Sequence, residues 1–159
     1  MVDSAARIRS RADAATWRAG ATAPIVFTNG VFDLLHAGHV TLLEQAARLG
    51  GSLIVAINTD SSVRRLGKGP DRPIVGENDR ARVVAAVGCV DCVILFDEAD
   101  PLELIEALQP DVLVKGGDYR PDNVVGADVV RRRGGRVEII PLLPDRSTTR
   151  VLERLRAPS

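Results

Sequence analysis

The stretch Thr28-Asn29-Gly30-Val31-Phe32-Asp33-Leu34-Leu35-His36-Ala37-Gly38-His39 marks a change of rhythm in the chain. Just before it, residues 24–28 are a short, mainly apolar run. Just after it, Val40, Leu43 and Ala47, with Leu42, Ala46 and Leu49, recur at helical spacing. A strand that turns through glycine into a helix is the first half of a βα unit, and the alternation continues downstream. Further Val- and Ile-rich runs occupy 52–58, 92–96, 111–115 and 136–142, nearly unbroken, as in strands covered on both faces. Helical patterns fall at 37–49, 77–87, 101–108, 125–133 and 148–155, with Gly50-Gly51 read as the end of the first and Pro110 standing beyond the third. This alternation predicts an α/β fold, a parallel five-stranded sheet with helices on both faces. In such sheets ligands bind beyond the carboxyl ends of the strands, near the switch in strand order. The segments 29–39, from 59 onward, 116–123 and 144–149 are therefore expected to converge on one cleft. Residues 66–76, with Gly67, Gly69, Pro70 and Pro73, form the longest irregular stretch.

Composition narrows the function. The 159 residues are 45% apolar and 26% charged, as in a globular domain. Lys+Arg and Asp+Glu both total 21, so there is no basic excess of the kind that nucleic-acid and membrane-surface binders carry. No nucleic-acid or membrane partner is expected, and any anion site is local. No apolar run approaches the roughly 20 residues a spanning helix needs. Residues 1–20 lack the apolar core of a secretory leader, and Asp3 and Asp13 are unsuited to a transit peptide, so a cytoplasmic protein is expected. Residues 1–23 read as an N-terminal helical extension to a domain at 24–157, with Ile8 and Trp17 available to pack on the body or on a neighbouring subunit. Cys89 and Cys92 form a C-x-x-C pair that leads into a strand rather than following one, so a thioredoxin-like site is not indicated. They read as small residues at a strand start. A zinc site would have to borrow His36 and His39.

The chemistry centres on the opening stretch. A helix N-terminus offers unpaired N–H groups and partial positive charge, which suits phosphate. Gly30 and Gly38 remove bulk where an anion approaches the backbone. His36 and His39, the chain's two histidines, lie three apart and so share one face at the helix start. There they either donate to charge building on phosphate oxygens or form a structural pair. Lys115-Gly116-Gly117-Asp118-Tyr119 follows the fourth strand and reads as a cradle for a base or ribose, or as a tight turn. Ser147-Thr148-Thr149 opens the last helix as a phosphate clamp, or with Ser147 as a plain cap. Asn58 and Asp60, after the second strand, either orient a ligand or cap the next turn.

Together these residues resemble the signature of the cytidylyltransferase-like nucleotidyltransferases, the H-x-G-H superfamily. Within it they are most similar to the adenylyltransferases acting on D-glycero-β-D-manno-heptose 1-phosphate. The likeness runs from about residue 25 to 156 and includes Thr28–Asp33, the His36–His39 quartet, residues 56–60, Arg72-Pro73, residues 113–119 and Ser147-Thr148-Thr149. It implies a Rossmann-like doubly wound fold, ATP and a sugar 1-phosphate as substrates, and ADP-heptose and pyrophosphate as products, for surface glycan or related heptose biosynthesis. It further implies Mg2+ carried on the triphosphate with no metal site of the protein's own, and a homodimer or higher homo-oligomer. On this resemblance His36 and His39 are catalytic. Thr28, Asn29, Ser147, Thr148 and Thr149 hold the phosphate chain, and Gly30, Phe32, Gly38, Lys115, Gly116, Gly117 and Asp118 complete the nucleotide site. Asp33, Asn58, Asp60, Lys68, Arg72 and Arg82 are candidates for the second substrate. Two departures stand out: Leu66-Gly67-Lys68-Gly69 is one residue longer than the family's usual pattern, and Arg146 replaces a small residue before Ser-Thr-Thr. The nearest alternative is a cytidylyltransferase acting on glycerol 3-phosphate or a similar alcohol phosphate. A nucleotide-binding regulatory module is disfavoured by the intact histidine pair.

Overall fold

The computed structural model describes residues 3–117, 119–142 and 148–156. Five strands, β1 (Ile25–Gly30), β2 (Ser52–Asn58), β3 (Cys92–Phe96), β4 (Val112–Gly116) and β5 (Arg136–Ile140), form one sheet in the order β3-β2-β1-β4-β5. Every pairing is parallel. The helices are α1 (Arg11–Gly20), α2 (Ala37–Ala47), α3 (Asp60–Arg65), α4 (Glu77–Ala86), α5 (Leu102–Leu108), α6 (Ala127–Arg132) and α7 (Thr148–Arg156).

Alternating strand residues feed two cores. On one face Val26, Val55 and Val114 meet Leu43 and Ala46 of α2 and Val84 of α4. On the other, Phe27, Ile54 and Leu113 meet Ala14 of α1, Ile105 and Leu108 of α5 and Val130 of α6. The sheet is thus doubly wound, Rossmann-like α/β, as the strand runs predict. β1 lies at its centre, and the order reverses between β1 and β4. The chain leaves β1 toward the α2 face and β4 toward the α6 face, which opens a crevice at their carboxyl ends.

The N-terminal residues are part of this body. Ala14 is fully buried and Trp17 packs on the same core, beneath the Arg9 guanidinium 4.9 Å from its ring. Ile8 bridges Val93 in parallel, and Arg9 N–H donates to the Val93 carbonyl at 2.9 Å, covering the β3 edge. Arg18 ties α1 to the Leu108 and Gln109 carbonyls, both at 2.9 Å.

Two local expectations change. Helix α2 stops at Ala47, before Gly50-Gly51. A Cβ on Gly50 would lie 2.3 Å from the Pro24 carbonyl oxygen, so this glycine is needed where the chain passes close to the entry of β1. And α3 follows β2 directly where no helix is predicted. It is six residues long with only Ser62 and Val63 buried, too short and too polar to show a period. No helix among the described residues is long and apolar enough to cross a membrane.

Candidate active site

After Gly30 the chain makes a tight turn in which Phe32 and Leu34 both take positive φ, 52° and 51°. Such geometry costs of order 1 kcal/mol or more for each non-glycine residue and needs outside support. Asp33 supplies it. Its fully buried carboxylate accepts from Arg72 Nε at 2.7 Å, Ile74 N at 2.9 Å and Val75 N at 3.0 Å, and its carbonyl accepts from Thr148 Oγ1 at 2.5 Å. One residue thereby fastens the turn to the 66–76 crossing and to α7. Gly30 lets the Phe32 ring fold back, since a Cβ there would sit 3.1 Å from the ring edge.

The turn delivers His36 to the N-cap of α2 and His39 to its first turn. Their rings stack at 3.9 Å and 21°, and Phe32 lies 5.3 Å from His39. His36 N–H points to His39 Nδ1 at 3.4 Å. With Nδ1 as acceptor, the neutral His39 ring carries its proton on Nε2. Burial, reinforced by His36, pulls the His39 imidazole down to about 4, so it is a neutral donor near pH 7.

Two clefts open on either side of Val31. The first, about 450 Å³, is bordered by His36, Gly38, His39, Phe32, Arg72 and Thr149. The second, about 310 Å³, is bordered by Asn29, Asn58, Asp100, Lys115, Tyr119 and Asn123. Val31 and Lys68 border both. Lys115 Nζ donates to Asn29 Oδ1 at 3.4 Å and lies 5.5 Å from the Tyr119 ring centroid. Burial, with Arg72 nearby, pulls the Lys68 ammonium below its usual range. Burial, with Lys68 nearby, does the same to Lys115. Cations held together against burial and each other favour an anion between them.

The expected site residues separate into groups. His36, His39, Phe32, Asp33, Gly38, Arg72, Thr148 and Thr149 border the first cleft, while Asn29, Gly30, Asn58 and Lys115 border the second. Asn29, Gly30 and Lys115, expected at the nucleotide, thus stand apart from the histidines. Gly116 and Gly117 border neither cleft as delineated. A Cβ on Gly116 would lie 2.8 Å from Leu142, and Gly117 needs φ +118°. Thr28 is fully buried, and its hydroxyl has no partner among the described residues. Asp60 pairs with Arg80 at 2.7 Å. Arg82 pairs with Asp3 at the surface, 2.9 Å away, and is not brought to either cleft. Asp118 and Ser147 lie outside the described residues. Of residues the sequence reading passed over, Asp100 and Asn123 border the second cleft, and Arg80 reaches behind Val31.

The cysteines sit elsewhere. Cys92 begins β3, at the opposite end of the sheet from the clefts, and both thiols are free. Burial pushes Cys92 up to about 11 and raises Cys89 as well, which disfavours thiolate chemistry. Among the described residues no three of His, Cys, Asp and Glu gather as metal ligands.

The family model described as cytidylyltransferase-like matches residues 27–154. The chain belongs to the cytidylyltransferase-like family. Among its curated relatives is the bifunctional protein HldE of Magnetococcus marinus, 61% identical over 133 residues, which cover 84% of this chain and 27% of that protein. HldE of Azorhizobium caulinodans is 56% identical over 151 residues, 92% of this chain and 31% of the relative. This cytidylyltransferase-like chain therefore spans about a quarter to a third of the length of those relatives. Among solved structures, a lipopolysaccharide core biosynthesis protein from Thermoplasma volcanium superposes with a TM-score of 0.60 at 31% identity. The match covers 75% of this chain and 95% of that one.

Proposed function

We propose that the chain transfers AMP from MgATP to D-glycero-β-D-manno-heptose 1-phosphate, giving ADP-heptose and pyrophosphate. The observation that carries this reading is the pair of clefts divided by Val31 and bridged by Lys68. The triphosphate would lie in the first, its phosphates toward the α2 N-terminus and the Nε2–H of His39. The acceptor would lie in the second, its phosphate on Lys115 and Lys68 and its hydroxyls among Asn58, Asp100, Tyr119 and Asn123. The names of the relatives, an HldE protein and a lipopolysaccharide core biosynthesis protein, support a sugar acceptor.

In the proposed reaction an oxygen of the acceptor phosphate attacks the α-phosphorus of ATP in line. The new P–O bond forms as the bond to the β-phosphate oxygen breaks, and pyrophosphate leaves with the electron pair. No covalent enzyme intermediate is needed, so the protein acts by placement and charge stabilisation. The neutral His39 imidazole is suited to this because it donates without holding the product by full charge. Mg2+ enters as part of the nucleotide substrate and offsets charge on the departing pyrophosphate. The first cleft, ringed by imidazoles and cations, fits a metal carried by phosphates better than one caged by the protein. A cytoplasmic, homo-oligomeric enzyme completes the proposal.

The test is pyrophosphate release with each of the four nucleoside triphosphates, paired with heptose 1-phosphate or glycerol 3-phosphate. ATP with heptose 1-phosphate is expected to be fastest by at least tenfold. Faster turnover of CTP with glycerol 3-phosphate would replace this reading with the alcohol-phosphate cytidylyltransferase.

A further inference from the structure

Arg80 is the largest of the fully buried side chains, 1% exposed. A guanidinium does not shed its charge, so its burial demands acceptors. It finds three, from three separate segments. Nη1 donates to the Val31 carbonyl at 2.6 Å, Nε to the Val75 carbonyl at 2.9 Å, and Nη2 to Asp60 Oδ1 at 2.7 Å. Asp60 alone would balance the charge. The two carbonyl bonds do something else: they fix the backbone of the β1–α2 turn against the end of the 66–76 crossing.

We propose that Arg80 is a positioning residue that sets the divide between the two clefts by holding the Val31 carbonyl, an inference that rests on reading those clefts as the reaction site. Val31 is the wall between them, and its carbonyl belongs to the peptide that leads into Phe32. Phe32 is held at φ 52° with its ring 5.3 Å from His39. Release of the Val31 carbonyl frees that peptide to rotate. Phe32 then relaxes toward negative φ, and its ring draws away from His39. Val75 is pinned from both sides, its carbonyl by Arg80 and its N–H by Asp33. The segment bearing Lys68 and Arg72 therefore springs from a fixed base. Removing the Arg80 fork loosens the wall, the aromatic cover of His39 and the cationic crossing together, although Arg80 borders neither cleft.

Arg80→Lys keeps a charge opposite Asp60, but one ammonium cannot span three acceptors. Arg80→Gln keeps one amide NH2 and no charge. Both are expected to fold, by circular dichroism, and to lose at least tenfold in kcat, with the KM for ATP changed less. Two readouts need no substrate. The chain has two histidines, so their ring resonances are readily followed. The His39 titration is expected to rise from about 4 toward the ordinary 6.5 as its cover loosens. Tryptic cleavage after Lys68 is expected to accelerate severalfold. A folded variant with unchanged His39 titration and unchanged cleavage overturns the proposal, as does failure of both variants to fold, which would leave Arg80 a purely structural residue. If the parent turns over none of the substrate pairs, the functional reading fails, while these two readouts still decide the role of Arg80.

Discussion

The donor role proposed for His39 comes with a cost. Its folded pKa of about 4 lies below the unfolded value of 6.5, so protons bind the unfolded chain more tightly. The neutral ring's contribution is fully present above pH 6.5 and is lost as pH falls toward 4. Melting temperature is expected to decline across that window, and His39→Asn to flatten the decline, which scanning calorimetry at stepped pH would read. For catalysis, removing one preorganised donor typically costs about 10²–10³ in rate. His36→Ala and His39→Ala are each expected to lower kcat by about that much with ATP affinity falling far less, and His→Asn to restore part of the loss. Folded Ala variants with parental turnover would return the pair to a structural role. The histidines were legible in the sequence because both fall within four residues at a strand-to-helix turn. Arg80 was not, since a charged residue in an amphipathic helix reads as exposed. The clue is its place on the stripe Arg80, Ala81, Val84, Ala85, all buried and spaced for one face of α4.

The two threonines that open helix α7 stand in different surroundings. Thr148 is buried and donates to the Asp33 carbonyl, so Thr148→Ala strands that acceptor at a cost of about 1–2 kcal/mol. At about 2–4 °C per kcal/mol for a chain of this size, the melting temperature should fall by about 2–8 °C. Thr149 is exposed and borders the first cleft. Thr149→Ala is expected to weaken ATP binding by isothermal titration while leaving the melting temperature alone. Equal thermal losses in the two variants would mean that both hydroxyls are structural. The sequence reading put Ser147, Thr148 and Thr149 together on the phosphate chain, with Ser147 as a plain cap for its alternative. Side-chain bonds to a distant carbonyl leave no trace in local spacing. Asp33 illustrates the same limit: a carboxylate beside the signature looks like a ligand group, yet its oxygens are taken by Arg72, Ile74 and Val75. Strands fared better, because unbroken apolar runs follow directly from burial on both faces.

Across the whole molecule the N-terminal residues precede the 27–154 family match yet pack on its cores, Ala14 and Trp17 on the second and Ile8 on the first. Trp17 is the chain's one tryptophan, so its fluorescence reports the docking of α1. Its emission shift on heating is expected to coincide with the loss of helix by circular dichroism. Trp17→Ala, removing a partly buried ring worth about 2 kcal/mol, is expected to lower the melting temperature by about 4–8 °C. A Trp17 transition well below the main one would show instead that α1 undocks separately. The central position of β1 also governs the order in which the protein can be finished. β2 follows it closely in the chain, but its other neighbour is β4, and Ile25 N–H waits for the Asp111 carboxylate, 86 residues later, to complete a 2.7 Å bond. While the ribosome is still making the residues in between, the strand that carries the reaction signature keeps one bare edge. The strand made first is thus among the last to be enclosed. Nascent chains arrested before Gly116 should remain open to protease and to chaperones however long they dwell.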